Sequence, residues 1–348
     1  MQKQILLLSG ALCGLVAPVL GQKMPKWFET INDSSYIEDH SKDITFRLYG
    51  SRKYTYYDIV DTKNKRQIEY RPNSNFNVGF GFNYKFIGLN FGFNLPFIND
   101  NDDKFGKTKY LDLQSHLYLR KLVIDFYGQY YKGYYMDNPR KVLSNYDPAK
   151  GLPLRPDLYN LDLGLSVQYI FNDSRFSYRA AYLQNEYQKK SAGSFILGGE
   201  IFGVKIKADS SLVPTNIADA SFLRDQHYYR TAIISAAINA GYAYTFVYKQ
   251  HFFLTLSLTG GLGVNHTKLY MVDGYISRDG GWQLNNTVRA SIGYNSSLYF
   301  AGIHYVSMTT RSEMPIPNTF QTFGTGNFRV SLVRRFALKG PIIRKWNF

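Results

Sequence analysis

Period-two alternation of apolar and polar residues recurs along this chain, and it restricts the fold more than any other feature. Residues 75–95 read NFNVGFGFNYKFIGLNFGFNL. Phe76, Val78, Phe80, Phe82 and Tyr84 alternate with Asn75, Asn77, Gly79, Gly81 and Asn83. After Lys85 and Phe86 the alternation resumes, with Ile87, Leu89, Phe91, Phe93 and Leu95 on one face. Successive side chains of a strand point to opposite faces, so each run is a strand with one apolar face. So short a break between two runs is a tight hairpin. Residues 110–120, 159–171, 252–264 and 326–336 repeat the pattern. Each run reaches the ~9–11 residues that a tilted strand needs to cross a bilayer. The opposite faces carry Asn, Gln, Ser, Thr, Gly and charge. Buried charges must be paired, so such faces suit a wet lumen better than the core of a soluble sandwich.

The pattern therefore predicts an all-β fold, a transmembrane antiparallel up-and-down barrel with its Phe/Leu faces toward lipid. Tight turns fall near Lys85, Arg120-Lys121, Asn172-Asp173-Ser174, Lys249-Gln250 and Asn295-Ser296-Ser297. Longer connections fall near 61–73, 96–108, 134–157, 207–229, 267–281 and 311–325. Short periplasmic turns and long extracellular loops alternate in such barrels. Parity holds if 175–206 is one long bent pass, which gives about 12 strands, with 14 as the fallback. Tyr84, Tyr169, Tyr244 and Tyr294 fall at strand ends, where aromatic girdles form, although Tyr is also common in strands generally.

The N-terminus, MQKQILLLSGALCGLVAPVLGQ, sets Lys3 before an apolar run from Ile5 to Leu20 and a small residue at Gly21. This is the pattern of a secretory signal peptide over 1–21. The one cysteine, Cys13, lies inside it, and Leu12 stands where a lipoprotein box needs Gly or Ala. An exported chain without cysteine needs no disulfide staple. No later stretch reaches the ~18 consecutive apolar residues of a helical span, so any membrane crossing is made by strands. The expected organisation is a periplasmic arm over 22–43, a barrel over 44–339 and a tail over 340–348. The terminal Phe348 resembles the aromatic signal read by the barrel assembly machinery. The net charge of +15 suits phosphorylated head groups, as in lipopolysaccharide and other outer-membrane lipids, and no nucleic-acid partner is expected. The oligomeric state is not legible.

Residues 185–194 carry polar side chains on both faces and cannot lie flat against lipid. Either they bulge into the lumen, with charges paired to residues such as Arg179, or Lys189, Lys190 and Ser191 form a head-group or substrate site. Ser191 beside Lys190 is a candidate activated nucleophile, because burial lowers a lysine pKa. His116, on an inward face, is a further catalytic candidate, and His116, His227, His266 and His304 form no spaced motif. The run Asn99-Asp100-Asn101-Asp102-Asp103 reads as a turn before it reads as a Ca²⁺ loop, and neither metal nor cofactor is expected. By parity Arg47, Asp112, Arg120, Asp125, Asp162, Arg179, Arg289, Arg329 and Arg335 point inward. They either pair across a closed interior or border an anion path. The leading reading is a non-enzymatic outer-membrane barrel that binds or passes small anionic solutes or lipid head groups. Its contacts would be Arg179, Lys189, Lys190, Arg289 and Arg329. The alternatives are a lipid-modifying hydrolase and a structural or assembly partner in the envelope.

The segments TKYLDLQSHLYLRK, YYKGYY, RPDL and FSYRAAYLQNEYQKKSAGSF resemble an uncharacterised Bacteroidota outer-membrane barrel family, domain of unknown function 4421. The resemblance covers roughly residues 30–340 and is carried mostly by Phe176 to Phe195. It implies a barrel in the outer membrane and brings no established activity and no catalytic residues.

Overall fold

The computed structural model describes residues 32–84, 87–219 and 221–337. The expected signal peptide, the first part of the arm and the tail with Phe348 lie outside the described residues. Sixteen strands follow in order: β1 Ile37–Asp39, β2 Ile44–Asp61, β3 Arg66–Pro72, β4 Phe76–Tyr84, β5 Ile87–Asn94, β6 Lys109–Asp112, β7 Ser115–Tyr118, β8 Leu122–Met136, β9 Leu154–Ile170, β10 Glu186–Gln188, β11 Ala192–Lys207, β12 Tyr228–Tyr248, β13 Phe252–Met271, β14 Ile276–Asn295, β15 Tyr299–Glu313 and β16 Thr319–Phe336. All their pairings are antiparallel. Because alternation leaves one face apolar on each strand, a closed sheet is the arrangement that sorts the two faces into inside and outside.

The ring closes through β16 and β2, and it contains ten strands: β2, β3, β8, β9 and β11 to β16. The expected count of 12, or 14, is corrected by one segment. Residues 66–72, read as loop, form β3, which pairs β2 through Tyr57 to Asp61 and reaches β8 at Tyr134 to Met136. Beyond that bridge the hairpin β4–β5 hangs on β2, and β6 and β7 hang on β8. No ladder joins β5 to β6 or β7 among the described residues. The alternating runs are therefore where the sequence puts them, but the wall does not close through all of them. The loops expected at 267–281 and 311–325 are mostly strand, because β13 to β16 continue past the apolar band and turn at 272–275 and 314–318. At the other end Lys249 and Gln250 both take positive φ, 47° and 63°, the turn whose twist matches that of the flanking strands.

Outside, the wall is apolar: Ile234, Ile238 and Phe195 are 73%, 71% and 70% exposed. Aromatic rings gather at the short-turn rim, where Tyr244 lies 4.5 Å from Phe246, Tyr169 lies 5.1 Å from Phe171 and Phe252 lies 5.6 Å from Tyr294. Inside, both ends of the barrel are packed. At the long-loop end Leu212, Val213, Phe222 and Leu223 fold in from residues 208–227 and pack with Tyr57, Ile59, Tyr70 and Tyr228. At the short-turn end residues 171–191 fold inward as a plug, correcting the reading of 175–206 as one long pass. Phe176, Tyr178 and Tyr182 pack there against Tyr118, Phe253 and Phe300. The plug strand β10 pairs β1, so residues 32–43 belong to this closure. Arg335 fastens it, donating to the carbonyls of Gln184 (2.8 Å) and Glu186 (3.1 Å) and to Asn295 Oδ1 (2.9 Å).

Candidate functional site

Most inward charges have partners. Arg289 donates to the Asp125 carboxylate and to the Tyr118 hydroxyl (3.2 Å), and His116 Nδ1 lies 2.7 Å from the same carboxylate. Asp112 accepts from Lys53 (3.1 Å), Tyr131 (2.6 Å) and Gln129 (2.9 Å). Glu186, in the plug, pairs with Arg120 at 2.9 Å and Arg179 at 3.2 Å. Buried ions held this way are parts of the packing, since each charge has its counter-charge.

Arg47 and Arg329 are different. Arg47 comes from β2 and Arg329 from β16, where the β2–β16 ladder sets Arg329 opposite Ser51. Both line one cavity of about 240 Å³. Its other walls come from β4 and β5 (Asn83, Asn90), β7 (Ser115, His116, Leu117, Tyr118), the plug (Tyr182, Leu183) and β15 (His304). No carboxylate is among the lining residues. Arg47 is 3% exposed and makes only neutral contacts, to Asn90 Oδ1 (3.2 Å) and the Leu183 carbonyl (3.0 Å), while its Nε has no partner. The Arg329 guanidinium lies 5.0 Å from the centre of the Tyr49 ring, and its Nε is also unpartnered. Glycines make the room. A Cβ on Gly79 would meet the Tyr49 hydroxyl at 2.8 Å, and one on Gly81 would strike the Asn90 side chain that reaches Arg47.

Two imidazoles border the same space. His304 Nε2 lies 3.2 Å from the Gln184 amide nitrogen, a donor, so Nε2 accepts and Nδ1 carries its proton toward Ser291 Oγ at 2.9 Å. That serine accepts from the imidazole and is not activated by it. His116, anchored on Asp125 through Nδ1, leaves Nε2 buried without a partner.

The sequence candidates separate accordingly. Arg289 is locked to Asp125 and Arg179 to Glu186, whereas Arg329 lines the cavity. Lys189 lies 3.9 Å from Glu38, and Lys190 sits 5.3 Å from the centre of the Tyr36 ring. Ser191 accepts from the Val247 backbone N–H at 2.8 Å. Ser191 ties the plug to β12, and the two lysines face Glu38 and Tyr36 of the N-terminal segment; none of the three lines the cavity. The polar run 185–194 does turn inward, and its Glu186 takes up Arg179. Arg47, Asn83, Asn90 and His304 were not singled out as binding residues. The available signal was Arg47 on an inward face with Gly79 and Gly81 in the next strand. Among the described residues, no cluster of His, Cys, Asp and Glu could hold a metal ion.

A family model described as "Domain of unknown function (DUF4421)" matches residues 31–336. No curated protein matches the sequence. Among solved structures, the outer membrane protease OmpT from Escherichia coli is 10% identical, with 89% of this chain and 100% of that chain covered and a TM-score of 0.38. An outer membrane protein OmpT of Vibrio cholerae, in its trimer form, is 10% identical over 84% of this chain and 99% of that one, with a TM-score of 0.28. The translocator domain of the autotransporter NalP from Neisseria meningitidis is 8% identical over 94% and 95%, with a TM-score of 0.25. Scores this low say nothing about role.

Proposed function

We propose that this chain, which belongs to the DUF4421 family, is an outer-membrane barrel that binds one small anionic group inside its wall and does not conduct. The observation that carries the binding is the cavity shared by Arg47 and Arg329 with no acidic residue in its lining. Arginine stays protonated in proteins, so two guanidiniums lining one cavity repel unless an anion sits between them. Phosphate or carboxylate matches the fork of each guanidinium.

The membrane reading rests on the outer wall. Contiguous Ile, Leu and Phe at more than half exposure would be an aggregation surface in water and is ordinary against lipid. The rim of Tyr and Phe fits the interfacial girdle. The short-turn end then faces the periplasm and the long-loop end the exterior. The closure at both ends supports binding over passage. Neither imidazole at the cavity supports a hydrolase reading: His116 Nδ1 is held by Asp125, and His304 Nδ1 donates to Ser291.

The test is titration of the refolded barrel with inorganic phosphate, followed by calorimetry, on the unmodified chain and on Arg47→Gln and Arg329→Gln. Saturable binding that both substitutions abolish is expected. Binding untouched by either substitution, or none in the unmodified chain, removes the proposal. In a planar bilayer the folded protein should be silent, and steady conductance would restore the channel reading.

A further inference from the structure

The cavity has a second property, set by the gap in the wall. Residues of β7 alternate across the sheet, so His116 and Tyr118 face inward while Ser115 and Leu117 face outward. All four line the cavity. A space touched by both faces of one strand wraps around that strand's edge. The edge in question is the side of β7 away from β8, and β5, which supplies Asn90, has no ladder on its own far side among the described residues. Both banks lie within the apolar band, because Leu89, Phe91 and Phe93 on β5, Leu111 on β6 and Leu113 just after β6 are among the exposed apolar side chains. Open sheet edges are not tolerated against hydrocarbon, where their free N–H and C=O groups go unsatisfied, but they are tolerated where they line a polar cavity. The opening therefore joins the arginine cavity sideways to the place where lipid would lie.

We infer that the seam between β5 and β6–β7 is a lateral entrance, and that the ligand is a single-chain anionic amphiphile from the membrane. This rests on the anion-binding reading above and names its ligand class. The head group sits between Arg47 and Arg329. The acyl chain leaves past Leu117 and lies along the outer wall beside Phe91 and Leu113. The dimensions agree: about 240 Å³ suits a head group and the first carbons, and the remainder of the chain needs no enclosed volume. The chemistry agrees as well, since charge lies at the inner end and apolar side chains at the outer end. A sideways route also leaves the plug and the packed long-loop cluster undisturbed.

The experiment is native mass spectrometry of the full refolded chain with 1-palmitoyl lysophosphatidate and, separately, inorganic phosphate. On the unmodified chain, lysophosphatidate should be retained at a concentration at least about tenfold lower than phosphate, since each buried methylene adds to affinity. Leu117→Trp, which fills the entrance, should weaken lysophosphatidate by about tenfold or more, and by more than it weakens phosphate. Arg47→Gln should weaken both. If phosphate binds and the acyl chain adds nothing, or if Leu117→Trp leaves lysophosphatidate unaffected, the lateral entrance is overturned while the arginine site stands. If neither ligand binds, both are overturned. Should Leu117→Trp not fold, as judged by loss of heat-modifiable mobility on a gel, the comparison of the two ligands on the unmodified chain still decides.

Discussion

Arg289 and Arg329 occupy equivalent positions by sequence. Each is an arginine on the inward face of a long strand, flanked by apolar residues that face out. Inside the barrel they differ. Arg289 is 1% exposed, bound to Asp125, with the Tyr118 hydroxyl and His116 completing the group. Arg329 and its neighbour Arg47 have a tyrosine face, an asparagine and a carbonyl, and space. The first arrangement spends its charge on holding opposite walls together across the lumen. The second keeps its charge available. An inward arginine is thus a structural residue or a binding residue according to whether a carboxylate reaches it, and a strand pattern does not say which.

The largest effect that could break this contrast is on the paired side. Asp125→Ala leaves Arg289 buried without its counter-charge and should destabilise the barrel by about 3–5 kcal/mol. Urea unfolding of the protein refolded into vesicles measures it, and a loss well under that range would put Arg289 in the same class as Arg329. Next comes the plug. Arg335→Ala removes a cation from the carbonyls of Gln184 and Glu186, at a cost of about 1.5–3 kcal/mol for a charged hydrogen bond. Proteolysis within 175–191 should then accelerate while the strands stay protected.

Gly79→Val tests the close approach of the β5 backbone at Phe91 and of Tyr49 to β4 and, through Tyr49, the room for Arg329. Overpacking there should cost about 1–3 kcal/mol, read from the same unfolding curves. Arg329→Gln should change stability by no more than about 0.5 kcal/mol, or raise it, because it removes a charge that nothing in the fold requires. Anion binding should nevertheless disappear, and that dissociation of stability from binding is what sharpens the contrast.

The smallest effect concerns acid. Asp39, beside the plug, is partly buried, which raises its pKa. Its bonds from the Ser41 N–H and hydroxyl and the nearby Arg120 and Arg179 outweigh this and hold it below the usual range. A carboxylate lowered on folding stabilises above its unfolded pKa, ~3.9, and loses that contribution as pH falls through the folded value. Pepsin cleavage near 32–43 should therefore rise as pH drops below about 4. A flat profile would mean that Asp39 does not hold the segment.

Much of the molecule is legible in the sequence. Strict alternation placed most of the strands and assigned Phe82, Leu89 and Phe91 to the outside and Gly79 and Gly81 to the inside; it did not separate the turns, since 267–281 and 311–325 turn tightly and 172–174 opens the plug. Alternation is a local property, enforced by the backbone of each strand, so it can be read without knowing the neighbours. The parity of Arg47, Arg289 and Arg329 followed from the same rule.

What tertiary structure alone decided is everything that depends on which distant residue arrives opposite. Residues 66–72 became β3 because β8 offered a free edge, and this closed a ring of ten strands and left the seam below it. Residues 171–191 turned into the lumen because Arg335 and Asn295, on other strands, take up their carbonyls. Asp125 reached Arg289 and no acid reached Arg329, across a sequence separation that no local pattern spans. The sequence by itself determined which faces are wet and which are apolar, because that is a matter of one strand at a time. The closed sheet decided which wet residues meet, because a contact across a barrel is fixed by register and curvature accumulated over every strand between.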